Sequence, residues 1–593
     1  MHTQKMGVNT TIYRSLTQQE IDILSANGCK ADDWAGVEVV SEGFAPERIC
    51  RCRFKGKVRI GAGVTIKDVG SFVANYTIGN RVKIVGVGIL ETKGESSFGN
   101  GVQVATINEN GGRSISIYDD LTSQSAYVCA MYRHRPKTVE ALERIALAHT
   151  QSVTSVMGTI EDGARVCDCK IIRNVRIGRG ARVVGASILQ NGTILSTDDS
   201  PTEIGVDVKM YDFVVQEGSS IDNGSLLRRC FVGQSVIIEN LTATDSLIFA
   251  NSHMENCEAC SIFAGPFTVS HHASSLLIAG MFSFFNAGSG TNQSNHLFRT
   301  GAVHQGIHLR GVKFGSNAYT MLPCRNGAFT VVIGRHRNNA DTDNFPYSYL
   351  VEKEGTSYLM PAKNLMSYGT VRDLGKWPQR DKRRGFKRDN ISFDECTPYI
   401  GVRIMKAIEL LTALLDKEGV EGPEVINWGR MKLTRKAAMQ GRRIYEQALS
   451  KYLADMLTKG ALREECDGSG HWIDCGGEFM PMSQMNLLLA GVESGDIGSA
   501  GELKRAFDVV ADNYDDYAYS WAVWAASQRL GHPASQQELE AIVAQGRAAG
   551  QKLREITEAD KMKDFESVAQ VGYGIDAQTP EEALADFKAV RGE

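Results

Sequence analysis

Six is the period that governs this chain. Aliphatic residues recur at Ile60, Ile66, Phe72, Ile78, Ile84 and Leu90, with Gly61, Gly63, Gly79 and Asn80 between them and Val64 and Val82 among the small or β-branched residues of each unit. An amphipathic helix would repeat at about 3.6 residues and a half-buried strand at about 2. A fixed short repeat of an aliphatic residue followed by glycine belongs instead to a solenoid, where each unit supplies one short strand and one corner. The aliphatic side chain points inward, and residues without a bulky Cβ let the chain turn. Stacked units then lie ~4.8 Å apart, the spacing of hydrogen-bonded strands.

The repeat returns at Ile160, Val166 and Ile172, slips by one residue, and resumes at Ile177, Val183, Leu189 and Leu195. Val215, Ile221 and Leu227 form a further set, and Phe263 with Val269 a last pair. Three units close one triangular coil, so the expected fold is mainly β, a left-handed parallel β-helix, one of the rare exceptions to right-handed crossovers. The units Ile60-Gly-Ala-Gly-Val, Ile78-Gly-Asn-Arg-Val and Ile177-Gly-Arg-Gly-Ala resemble the hexapeptide-repeat superfamily. That superfamily holds many acyltransferases and the β-helical tails of sugar-nucleotide pyrophosphorylases, and the fold by itself names no reaction. A second resemblance rests on Asn108-Glu109-Asn110-Gly111-Gly112-Arg113, on Tyr132-Arg133-His134-Arg135-Pro136, on an Asn/His-rich block and on the long tail. Together these look like an uncharacterised family of large hexapeptide-repeat proteins from Bacteroides-type gut bacteria, which supports the fold and leaves the chemistry open.

Composition narrows the classes. The 593 residues suffice for about two to four domains, and 60 glycines against 13 prolines suit a fold with many tight corners. A net charge of −4 gives no basic footprint for nucleic acid. No apolar run is long enough to span a bilayer, and no apolar leader follows Met1. The 13 cysteines are scattered without a disulfide framework, so a reducing, cytoplasmic location is expected.

Residues 1–53 precede the repeat. Thr17-Gln18-Gln19-Glu20 is a capping-box pattern that predicts a short helix stopping near Gly28, and the segment is expected to cover the open end of the solenoid. Residues 54–344 are assigned to the β-helix. Within it, 119–157 reads as an inserted helical hairpin, with Ala126, Tyr127, Ala130 and Met131 before Pro136 and Val139, Leu142 and Ile145 after it. Such insertions commonly fall on the binding face of a solenoid. Residues 345–400 read as a mixed crossover segment. Residues 401–593 read as a C-terminal all-α domain, with Ile404, Ile408, Leu411 and Leu415 at helical spacing.

Chemistry-bearing side chains concentrate between Phe282 and Arg337. His296, His304 and His308 fall there beside Asn292, Asn295, Gln305 and Arg310, shortly after His271 and His272. Histidine titrates near working pH and suits a general base. His304, flanked by Gly301 and Gly306, is the favoured base, with His296 and His308 as the other candidates. Asn292, Asn295 and Gln305 suit recognition of sugar hydroxyls, Phe284, Phe285 and Phe298 could stack on a ring, and Arg310, Arg335 and Arg337 could neutralise phosphates. The bland alternative is that these polar residues form hydrogen-bonded ladders between coils. Arg383 and Arg384, within the basic run 380–388, are candidates for the phosphates of coenzyme A, unless the run is a solvated linker. No metal is expected. The Gly-rich context disfavours zinc on His304, His308 and His271 or Asp343, Cys257-x-x-Cys260 lacks a second pair, and Cys466, His471 and Cys475 form a three-ligand fragment that Asp467 or Asp474 could complete but that reads better as a loop.

The superfamily resemblance implies an acyltransferase that moves an acetyl or other acyl group from acyl-coenzyme A to a sugar or nucleotide sugar. It also implies a homo-oligomer, expected to be a trimer, and leaves no role for a nucleic-acid or membrane partner. The alternative is a non-catalytic ligand-binding or scaffolding solenoid. A pyrophosphorylase is disfavoured, because the segment before the repeat contains no Gly-rich nucleotide loop.

Overall fold

The computed structural model describes residues 12–294, 305–419, 421–566 and 572–591. The six-residue period becomes a parallel β-solenoid. One ladder of stacked, inward-facing residues runs Val39, Ile60, Ile78, Ile160, Ile177, Ile194, Val215, Val232, Ile248, Ala264. A second runs Ile49, Ile66, Ile84, Val166, Val183, Ile204, Ile221, Ile238, Met254, Ser270. A third runs from Val73 through Leu90, Ile172, Leu189, Met210, Leu227, Ala243 and Ala259 to Leu277. Nearly every member is fully buried, so the bore is a continuous apolar core.

The strict sixth position slips at several places. Val73 rather than Phe72, Ile194 rather than Leu195, and Ser270 rather than Val269 point into the bore. Ala264 is the interior residue beside Phe263, whose ring packs outside. The cause lies in the corners, which absorb a variable number of residues through positive-φ turns. Along one edge, Asn75, Asn174, Asn191, Asp212 and Asp245 all adopt φ between 49° and 57°. Their side chains tie neighbouring coils: Asn75 Oδ1 accepts from the Lys57 N–H at 3.1 Å, and Asn191 Nδ2 donates to Asp212 at 2.6 Å. Asn and Asp tolerate this left-handed backbone because a short polar side chain can hydrogen-bond locally.

The N-terminal helix α1 (Gln18–Ala26) has the capping box read from the sequence, with Thr17 and Glu20 bonded reciprocally. Ile78 and Ile160 pair directly, so the chain leaves the solenoid between them and returns to the next rung. The excursion is closed by two backbone hydrogen bonds of 2.9 Å between Ser96 and Ser155. It is larger than a helical hairpin. An antiparallel pair of strands, Gln103–Ala105 with Ser114–Ser116, precedes helices α2 (Ser123–Met131) and α3 (Pro136–Val153).

The solenoid continues past residue 344, where Tyr349–Lys353 stacks on Val331–Ile333. Helix α4 (Tyr368–Gln379) follows. A strap then runs back along the solenoid, bonding in turn to Asn251, Gln234 and Glu217, one corner residue from each successive coil. The C-terminal region comprises α5 (Pro398–Glu418), α6 (Arg435–Lys459), α7 (Met482–Ser494), α8 (Ala500–Asp512), α9 (Tyr514–Leu530), α10 (Gln536–Glu566) and α11 (Pro580–Arg591). It is not purely helical: hairpins at 425–434 and 472–481 interrupt it. No helix among the described residues is long and apolar enough to cross a membrane.

Candidate functional site

One flank of the solenoid departs from the alternation of inward apolar and outward polar residues. Its outward row begins Arg59, Thr77, Thr159, Arg176, Thr193 and then becomes Val214, Phe231, Leu247, Phe263, Met281. Consecutive apolar residues in a strand mark a sheet covered on both faces. The cover here is the insertion and the C-terminal region, which share one core with this row.

Beyond Met281 the row continues to Ile307 and Arg325, and the cover lifts into a cleft of about 520 Å³. Its wall comes from three separate parts of the chain: Arg113 and Tyr127 from the insertion, Gln305 and Arg325 from the coils, and Arg403 from α5. Arg113 is half-buried. Its Nε donates to Gln305 Oε1 at 2.7 Å and its Nη1 to the Ala130 carbonyl at 2.6 Å. Among the described residues no carboxylate pairs with it, and burial together with the nearby Arg133 lowers its pKa. Arg325 and Arg403 differ, because both bond to Asp343, at 2.9 and 3.0 Å. The Arg403 guanidinium also lies 3.9 Å over the Tyr399 ring.

Tyr127, Met281, Leu309 and Arg403 line both this cleft and a deeper void of about 100 Å³, where Trp472, Asp474 and Gly476 form the far wall. Arg403 and Asp343 also border an apolar compartment of about 640 Å³ made by Val402, Met405, Trp472, Met482 and Trp524. A guanidinium without a carboxylate partner, beside aromatic and thioether surface, suits a small molecule with an anionic end and a less polar body.

The residues expected from the sequence are dispersed. His296, His304, Asn295 and Phe298 lie outside the described residues. His308 is buried at 0% exposure, stacked on Phe282 at 5.0 Å between centroids and edge-on to Phe314 at 5.1 Å. Its Nδ1 lies 2.9 Å from Asn326 Nδ2, which donates to it, and burial pushes the imidazole pKa down to about 3. Phe284 and Phe285 are likewise interior. Asn292 accepts from the Ser294 hydroxyl at 2.6 Å, away from the cleft lining.

The arginines also separate. Arg310 is 2% exposed and donates to Asp474, to the Ser392 carbonyl and to the Gly477 carbonyl, so it fastens the C-terminal hairpin to the solenoid. Arg335 is exposed over Tyr319, and Arg337 is exposed. Arg383 is buried against Asp381 and the Asp389 carbonyl, while Arg384 is exposed on the strap. Of the expected set, Gln305 and the buried Arg310 and His308 border the cleft system, His308 and Arg310 at the deeper void. The sequence reading assigned no role to Arg113, Tyr127, Arg325 or Arg403. The Gly111-Gly112-Arg113 turn was the available signal for Arg113, since two glycines before an arginine mark a tight, projecting loop. Among the described residues no group of three or more His, Cys, Asp or Glu side chains is arranged to hold a metal.

Comparisons with known proteins bear on kinship. A profile of the family described as "Domain of unknown function (DUF4954)" matches residues 13–63 and 59–415. A second, "Domain of unknown function (DUF6819)", matches 455–593. A protein of Treponema pallidum (strain Nichols), called "Uncharacterized protein", is 25% identical over 609 residues, covering 88% of this chain and 83% of that protein.

Proposed function

The chain belongs to the DUF4954 family, and on that footing we propose that its cleft binds an anionic, hydroxyl-bearing small molecule such as a phosphorylated sugar or nucleotide sugar. Arg113 carries this reading. A half-buried guanidinium held by Gln305 and a backbone carbonyl, with no carboxylate partner among the described residues, has hydrogen-bonding capacity left for phosphate oxygens. A ligand-stabilisation screen tests it. A sugar phosphate or nucleotide sugar is expected to raise the melting temperature in proportion to RT ln(1 + [L]/Kd), and uncharged sugars to do so less. If uncharged sugars stabilise as well as their phosphates, the anionic site is wrong.

A second reading adds acyl transfer. Two features favour it: the parallel solenoid built on hexapeptide units, and His304, which directly precedes the cleft-lining Gln305 in sequence. In this reading the acceptor hydroxyl attacks the thioester carbonyl of acyl-coenzyme A, His304 takes the hydroxyl proton, and the C–S bond breaks to release the thiolate. His304→Ala would then lower turnover by ~10²–10⁴ while leaving ligand-induced stabilisation in place. The same reading carries a homotrimer, and a monomer by light scattering at micromolar concentration counts against it.

A further inference from the structure

Glu478 opens the second strand of the hairpin 472–481 and is 1% exposed, yet neither of its carboxyl oxygens has a hydrogen-bond partner. Three elements face it. The strap contributes the Asn390 amide, which faces the carboxyl closely enough to favour its charged form but makes no well-formed hydrogen bond to it. Helix α8 contributes Lys504, bonded to Asn390 Oδ1 at 2.9 Å and to Asp508, and Asp508 itself. The hairpin contributes the buried Cys475, while its Asp474 is engaged with Arg310. Asp389, next along the strap, accepts from the Ser123 N–H at 2.7 Å.

A carboxylate stripped of water and of hydrogen bonds is costly, so a group in this setting keeps its proton. Burial pushes the Glu478 pKa up to about 8. The same hairpin is one of the grips of the C-terminal region on the rest of the molecule, beside contacts such as Arg403 with Asp343 and Arg135 with Glu493. Gln124 Nε2 donates to the Cys475 and Gly476 carbonyls at 3.3 and 3.4 Å, and Gly477 O accepts from both Arg310 and the Ser392 N–H. The fit is close: a Cβ on Gly476 would lie 2.4 Å from the Ser123 carbonyl oxygen.

We propose that Glu478 is a proton-operated latch: its neutral carboxyl seats the hairpin on the solenoid and insertion, and loss of the proton releases the hairpin and opens the deep end of the cleft. Trp472, Asp474 and Gly476, which wall the deep void, all belong to this hairpin. The sign follows from the raised pKa. The seated state is fully favoured below the ordinary glutamate range and loses that advantage as pH rises toward about 8.

Hydrogen exchange on the intact chain at about pH 6 and about pH 9, normalised to intrinsic exchange rates, tests the latch. Peptides covering 472–481 and 388–392 should open on the order of a hundredfold more at the higher pH, while the ladder around Met210 to Val232 stays protected. Glu478→Gln, which keeps the shape and cannot ionise, should hold both peptides at their low-pH protection throughout. Equal exchange at both pH values in the wild type, or the same rise in the Gln variant, overturns the proposal. Should the variant fail to fold, difference infrared on the native protein decides. A carboxylic-acid C=O band must disappear over the same pH interval, and its persistence or its absence at the outset contradicts the latch.

Discussion

Arg310 and Asp474 meet with side chains 2% and 7% exposed, and the guanidinium lies about 4 Å from the rings of both Phe284 and Phe479. Removing one member of such a pair leaves the other charge buried and unpaired. Arg310→Ala is therefore expected to cost about 3–5 kcal/mol in urea unfolding, far more than Arg335→Ala on the surface. Histidine supplies the pH dependence at this scale. Burial holds His308 at about 3 and His336 at about 4. Both are bases with depressed folded pKa values, so the unfolded chain takes up protons first. Their contribution is present above the ordinary histidine range and is lost as pH falls through about 6 toward 4. Thermal melts between those limits should show falling stability, with a shallower fall in a His308→Gln/His336→Gln double variant. The histidine-rich run was legible in the sequence, but its meaning was not. Residue type does not distinguish a bore from a cleft, and the ladder Leu277, Gln293, Thr320, His336 puts polar side chains where the earlier coils carry leucine and isoleucine.

The coil is the element that the sequence revealed best, because every unit repeats the same demand for an inward aliphatic side chain and a turn. Ile78 sits fully buried between Ile60 and Ile160, and Ile78→Asp should unfold or severely destabilise the solenoid by several kcal/mol, read by circular dichroism and melting temperature. The period alone could not place Val73 over Phe72, since corner length is set by individual positive-φ residues such as Asn75. The insertion shows the other limit. Its helices follow from local spacing, but its hairpin at 103–116 depends on docking against strands more than a hundred residues later. Excising residues 97–154 and joining Ser96 to Ser155 should leave the Ile78–Ile160 rung intact while exposing Phe231, Leu247 and Phe263. The expected product keeps its β-sheet signal, binds a hydrophobic dye and aggregates; a monodisperse, dye-negative product would mean that the apolar row is covered without the insertion.

At the scale of the whole molecule, the cleft exists because three remote stretches of chain converge on the last coils. Arg113, Gln305 and Arg403 are brought together only by tertiary packing. No local spacing records that, which is why the sequence singled out the last coils but not Arg113. The proposed anion site is made by Arg113 and not by the exposed arginines of the outer surface. Calorimetric titration of sugar phosphates and nucleotide sugars into the wild type, Arg113→Ala and Arg335→Ala tests this most directly. The best ligand should bind the wild type and Arg335→Ala alike, and Arg113→Ala at least about tenfold more weakly with no loss of folding. Equal affinity in the Arg113→Ala variant, or loss of binding in Arg335→Ala instead, would contradict it.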